Sequence, residues 1–66
     1  MNVIINGEPH QLEPGATVAQ AVRVVTAATE GVAVAVNDEV VRRAAWGTRP
    51  VTDGDRVEVL AAVQGG

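Results

Sequence analysis

The chain contains no cysteine. That excludes a disulfide, a thiol nucleophile and a persulfide held on the protein's own side chains. It also contains no lysine, since all five basic residues are Arg, so it cannot be linked to itself through a lysine amine. Tyr and Phe are absent, and Trp46 is the one aromatic residue. His10 is the one histidine. With no Cys and no second His it could pair only with carboxylates, and no spacing suggests that, so it reads as structural or solvent-exposed. No apolar run approaches the roughly 20 residues of a membrane-spanning helix. Residues 1–7 lack the charged start and long apolar stretch of a signal peptide, so a cytoplasmic protein is expected. A net charge of −3 with no basic cluster argues against nucleic acid as a partner.

What is present is apolar and small. Of 66 residues, 47% are hydrophobic, and most of these are Val and Ala. One small domain with one small core is expected, burying about 60% of the surface its unfolded chain exposes. The chain ends in Gly65-Gly66. Glycine lacks a Cβ, so such a tail can lie extended in a slot too narrow for other residues. Its end is an α-carboxylate, ionised at neutral pH because its ordinary pKa is about 3.3–3.7. A slim tail with one carboxylate suits presentation to another enzyme's active site. The alternative is a frayed chain end.

Along the chain, residues 2–5 are β-prone and are followed by Asn6-Gly7. That pair signals a type I′ hairpin turn, which needs φ > 0 at both positions. The turn sets Ile5 opposite Glu8, Ile4 opposite Pro9 and Val3 opposite His10. Met1, Val3, Ile5 and Leu12 then share the core side, with Ile4 and Pro9 on the other. Pro9 donates no hydrogen bond, which predicts an edge strand. Pro14-Gly15 breaks the strand. Thr17-Val18-Ala19-Gln20 fits a capping box. The stripe Val18, Ala21, Val22, Val25 and Ala28 predicts a helix stopping near Gly31. Val32 to Val36 alternates large and small and reads as a strand. Asn37-Asp38 marks a turn, Val40-Val41 a short pairing segment, and residues 42–50 an irregular stretch with Trp46 folded inward. Asp53-Gly54 is a further turn, and Arg56 to Leu60 the last strand, with Val57 and Val59 inward.

Two-layer packing of these elements predicts an α+β fold, with one helix across a mixed sheet. Parallel pairing of the first and last strands, with the helix as crossover, is the β-grasp or ubiquitin-like arrangement. A domain over residues 1–60 and a flexible tail over residues 61–66 follow. The outward face of the sheet is expected to carry Ile4, Leu60, Ala33 and Ala35, rimmed by Arg56 and Glu58. Apolar residues rimmed by charge form a candidate docking surface.

At this point the chain resembles the ThiS family, the small sulfur carriers of thiamine biosynthesis. The resemblance runs through Val3-Ile4-Ile5-Asn6-Gly7, Gly15-Ala16-Thr17-Val18, Val32 to Asn37, and Val40 to Trp46. It continues through Asp53-Gly54-Asp55-Arg56-Val57-Glu58-Val59 to Gly65-Gly66. Two places depart. The family usually has Leu-Leu in its helix, where this chain has Ala21-Val22. It usually has Val-Pro-Arg-Ser where this chain has Val41-Arg42-Arg43-Ala44.

The resemblance implies that an E1-like adenylyltransferase of the ThiF type uses Mg-ATP to adenylate the Gly66 carboxylate. A sulfur donor system then leaves a thiocarboxylate there, and a thiazole synthase of the ThiG type receives the sulfur. Val63, Gln64 and Gly65 would enter the partners' sites. The carrier binds no cofactor itself, ATP and Mg belonging to the activating partner, and is a protein cosubstrate rather than an enzyme. Three other readings stand beside it: a carrier for molybdopterin or cysteine synthesis, a β-grasp binding module, and a modifier that conjugates to lysines on targets.

Overall fold

The computed structural model of the chain describes residues 1–28 and 30–61. Strands β1 (Asn2–Ile5) and β2 (Glu8–Gln11) are followed by helix α1 (Val18–Val25). Then come β3 (Val32–Val36), β4 (Glu39–Val40), a 3₁₀ turn over Arg43–Ala45, and β5 (Arg56–Ala61). The sheet order is β2-β1-β5-β3-β4. β1 and β5 pair in parallel, and the remaining pairs are antiparallel. The last strand therefore lies at the centre, and β2, which carries Pro9, lies at an edge.

Local chemistry sets the hairpins. Asn6 and Gly7 have φ of 50° and 84°, and Asn37 and Asp38 have φ of 50° and 71°. Both turns thus hold two successive residues in the left-handed region, as a type I′ turn requires. The first turn sets Val3 opposite His10, Ile4 opposite Pro9 and Ile5 opposite Glu8, the expected register.

The core lies between α1 and one face of the sheet. Val3, Ile5, Val34, Val36, Val57 and Val59 from the strands meet Val18, Ala21 and Val22 of the helix, closed by Ala16, Val41, Trp46 and Val51. Met1 and Leu12 pack half-buried against it. Each fully buried Val or Ile contributes on the order of 1.5–3 kcal/mol relative to exposure.

The start of α1 is held by its surroundings. The Thr17 N–H donates to Gln20 Oε1 at 2.9 Å, the reach-back bond of a capping box. The next two free N–H groups, of Val18 and Ala19, donate to the carbonyls of Arg49 and Trp46 at 2.9 and 3.0 Å. Trp46 is buried and its Nε1 donates to the Val41 carbonyl at 3.0 Å. The segment read as irregular is thus a 3₁₀ turn with connecting chain whose carbonyls cap the helix.

The helix is shorter than its apolar stripe predicts. It ends at Val25, not near Gly31, and Val25 and Ala28 are exposed rather than packed in the core. Thr26 is extended (φ −150°, ψ 148°), and its Oγ1 accepts the Ala28 N–H at 3.0 Å. A Thr hydroxyl that takes a nearby N–H competes with the helix ladder, and the β-branched run Val24-Val25-Thr26 disfavours further helix. At the other end of the chain, β5 includes Ala61, one residue past the expected boundary between domain and tail.

Candidate functional site

The face of the sheet away from α1 is built by alternation. Because Val34, Val36, Val57 and Val59 point into the core, Ala33, Ala35, Arg56, Glu58 and Leu60 point the other way. The β3–β5 register places Ala33 beside Leu60 and Ala35 beside Glu58. The β3–β4 register adds Val40 beside Ala35. Leu60 and Val40 are 71% and 77% exposed, the two most exposed large apolar side chains among the described residues. Ala33, Ala35, Val40, Glu58 and Leu60 line an open groove of about 430 Å³, together with the Asn6-Gly7 turn.

Of the six residues expected on the docking face, four thus meet in one groove: Ala33, Ala35, Glu58 and Leu60. Ile4 and Arg56 lie on the same face but outside the groove. Ile4 is half-buried between its cross-strand neighbours Pro9 and Arg56, so it offers less surface than expected. Arg56 turns to the adjacent turn, where its Nη2 lies 3.0 Å from Asp38 Oδ2. Val40 is the residue the sequence reading missed. Applying to Asn37-Asp38 the turn argument used for Asn6-Gly7 would have placed Val40 opposite Ala35. The tail residues Val63, Gln64, Gly65 and Gly66 lie outside the described residues.

Charge surrounds this face unevenly. Glu58 is exposed within the groove, while Arg56–Asp38 and Arg49–Glu39 form exposed ion pairs near β4. Exposed pairs of this kind contribute little stability. At the start of β5, partial burial works against the charge on Asp55. Its Oδ2 accepts the Thr52 N–H at 2.8 Å and its Oδ1 accepts the Asn37 amide at 3.0 Å. These bonds hold its carboxyl below the usual aspartate value. Among the described residues no group of three or more His, Cys, Asp or Glu is placed to hold a metal ion. The chemistry the face offers is apolar contact along β5 and its β3–β4 side, flanked by charge.

Two Asn side chains grip that strand. Asn37 Oδ1 accepts the Arg56 N–H at 2.9 Å at its start. Near its end, Asn6 Oδ1 accepts the Val59 N–H at 2.8 Å while Asn6 Nδ2 donates to the Val59 carbonyl at 3.1 Å.

Known proteins place this architecture. The model of the ThiS family matches residues 3–66. The sulfur carrier protein ThiS of Thermus thermophilus is 42% identical over 64 residues, covering 97% of this chain and 98% of that protein. A thiazole synthase of Magnetococcus marinus is 36% identical over 66 residues, which span this whole chain but only 20% of the synthase. The crystal structure of a thiamine biosynthesis protein (ThiS) from Geobacter metallireducens superposes with a TM-score of 0.79 at 35% identity, with both chains fully covered.

Proposed function

The chain belongs to the ThiS family, and we propose that it is a sulfur carrier of thiamine biosynthesis, a protein cosubstrate rather than a catalyst. The observation that carries this reading is the end-to-end match with a ThiS sulfur carrier, 42% identical with nearly all of both chains covered. The family match runs as far as Gly66, the residue to which the sulfur is assigned.

The chemistry follows from what a carboxylate lacks. It is a poor electrophile, so sulfur cannot be added to it directly. An E1-like adenylyltransferase directs the Gly66 carboxylate oxygen to the α-phosphorus of Mg-ATP, and pyrophosphate leaves. Sulfide released by the donor then attacks the acyl carbon of the adenylate, the C–O bond to AMP breaks and a proton is lost, which yields the thiocarboxylate. Since the chain has no Cys, the sulfur has no competing site on its side chains. A thiazole synthase is the recipient, and the carrier-like stretch within a thiazole synthase supports that pairing. Joining carrier and acceptor in one chain raises the effective concentration of each for the other. The groove around Leu60 and Val40 is the docking surface. It lies along β5, so a partner seated there is beside the strand that leads into residues 62–66.

The test is intact-mass analysis after incubation with the E1-like enzyme, Mg-ATP and a sulfur donor. One oxygen-to-sulfur exchange, mapped to Gly66 by fragmentation, is expected. Deleting Gly66 should abolish it. No exchange with a competent partner, or exchange elsewhere, overturns the reading. Adducts on target lysines point instead to a protein modifier.

A further inference from the structure

Strand β5 is longer than the partner that pairs with it in parallel. β1 matches Ile4 with Arg56 and Ile5 with Val57, and there it ends. β5 continues to Ala61. Its other edge is covered by β3 throughout, from Val36 opposite Val57 to Val32 opposite Ala61. On the β1 side the Asn6 backbone N–H adds one more rung, donating to the Val57 carbonyl at 2.9 Å. The Asn6 side-chain amide supplies the next, bonding both the N–H and the carbonyl of Val59 at 2.8 and 3.1 Å. One primary amide thus stands in for a peptide group that β1 does not have. Val59 is two residues before Ala61, the last residue described before the tail.

Residue type supports a purpose beyond the turn. The first position of a type I′ turn accepts Gly, Asp or Asn. Gly has no side chain for the second rung, and a carboxylate has no donor for the Val59 carbonyl. Only Asn meets both needs at once.

We propose that Asn6 is a positioning residue for the terminal chemistry. Its amide fixes the end of β5 from the side that β1 leaves uncovered, and so fixes the direction in which the chain leaves the sheet toward Gly66. This rests on the sulfur-carrier reading above. Asn6 touches neither the reacting carboxylate nor ATP. It acts through the backbone of Val59.

The experiment compares the full-length wild type with Asn6→Gly and Asn6→Asp. Asn6→Gly keeps a turn-compatible pair and loses both side-chain bonds. Asn6→Asp keeps the acceptor and loses the donor. Three readouts are taken: urea melts, native-state amide exchange, and adenylation kinetics with the E1-like enzyme and Mg-ATP. In Asn6→Gly the Val59 amide should exchange at least about tenfold faster at matched stability, with the Val18 amide, bonded to Arg49, as the unaffected reference. The maximal adenylation rate should fall about tenfold, because misplacing a reacting group by a fraction of an ångström to 1 Å costs on the order of 10- to 100-fold. Asn6 also borders the groove, so KM for the carrier is read separately: a fall in the maximal rate supports positioning, whereas a rise in KM at a wild-type maximal rate would assign Asn6 to docking and overturns the proposal. Asn6→Asp should fall between the two, and it carries the comparison if the Gly variant fails to fold. Loss of Val59 protection with a wild-type adenylation rate would show the amide to be structural only and overturns the proposal. So does unchanged Val59 protection. A wild-type chain that a competent E1-like enzyme leaves unadenylated overturns the carrier reading itself, and the positioning role with it.

Discussion

Val59 and Leu60 are neighbours in β5 and are similar in hydrophobicity, yet Val59 is 4% exposed and Leu60 71%. The contrast extends across the sheet. Toward α1, every large apolar residue of β1, β3 and β5 except Val32 is buried. On the other face, Val40 and Leu60 stand in solvent around two alanines. One helix covers one face only, so the same side-chain chemistry stabilises the fold on one side and is left for a partner on the other. An apolar side chain already exposed in the free protein gains its burial energy only on binding. The two faces should therefore answer mutation in opposite ways.

The largest effect on stability is expected from Ile5→Ala. Ile5 is 1% exposed and among the largest fully buried side chains. Truncation should cost about 3 kcal/mol through lost burial and a residual cavity. Domains of this size hold roughly 3–10 kcal/mol in all, so a urea melt should show a large shift. A loss below about 1 kcal/mol would mean that the covered face is not what holds the fold.

Trp46→Phe should come next, at about 1–2 kcal/mol. It keeps an aromatic ring but removes the Nε1–H that meets the Val41 carbonyl, leaving a buried acceptor unpaired. The Trp46 carbonyl caps the Ala19 N–H, so faster Ala19 amide exchange should accompany the loss. Unchanged exchange would separate the indole bond from the helix cap.

A smaller, pH-dependent effect is expected at Asp55. Its folded-state pKa is depressed below the ordinary 3.8, so its contribution is present above that value and is lost as pH falls through the folded one. Wild type should therefore lose stability on acidification below about pH 4 more steeply than Asp55→Asn. Parallel acid titrations of the two, each followed by urea melts, check this. Equal slopes would remove Asp55 from the account of acid unfolding.

The smallest effect on stability, within about 0.5 kcal/mol, is expected from Val40→Glu and Leu60→Glu. Their effect should be on the partner. A carboxylate placed in an apolar contact must be desolvated, and affinity for the E1-like enzyme or the thiazole synthase should fall at least about tenfold by calorimetry. Thermal melts that show unfolding would erase the distinction between the faces. Normal melts with unchanged affinity for both partners would reduce the groove to ordinary surface.

The parts of this arrangement legible in the sequence are those governed by neighbours in the chain. Asn6-Gly7 specifies a turn because positive φ is a property of each residue. The register Val3 to His10 then follows by counting. Pro9 declares an edge because it lacks an N–H. The helix end at Val25 was also signalled locally, by the β-branched run and the Thr26 hydroxyl, but the apolar stripe through Val25 and Ala28 argued the other way. The packed core stops at Val22, and nothing in the periodicity says so. Val40 was legible by the same counting as the first hairpin. The half-burial of Ile4 was not, because it depends on Pro9 and Arg56 from two other strands.

By itself the sequence determined the turns, the alternation of the strands, the capped start of the helix and the likeness to the ThiS family, all of which rest on residue type and short spacing. Tertiary structure alone decided how far Ile4 would be buried and which of the six expected docking residues would share a groove. It also decided the second use of Asn6, whose amide meets Val59 across 53 positions of the chain. A residue's own preferences set its φ and ψ. They carry no information about which distant backbone will arrive with an unpaired N–H and carbonyl, because that is settled only when β5 inserts at the centre of the sheet.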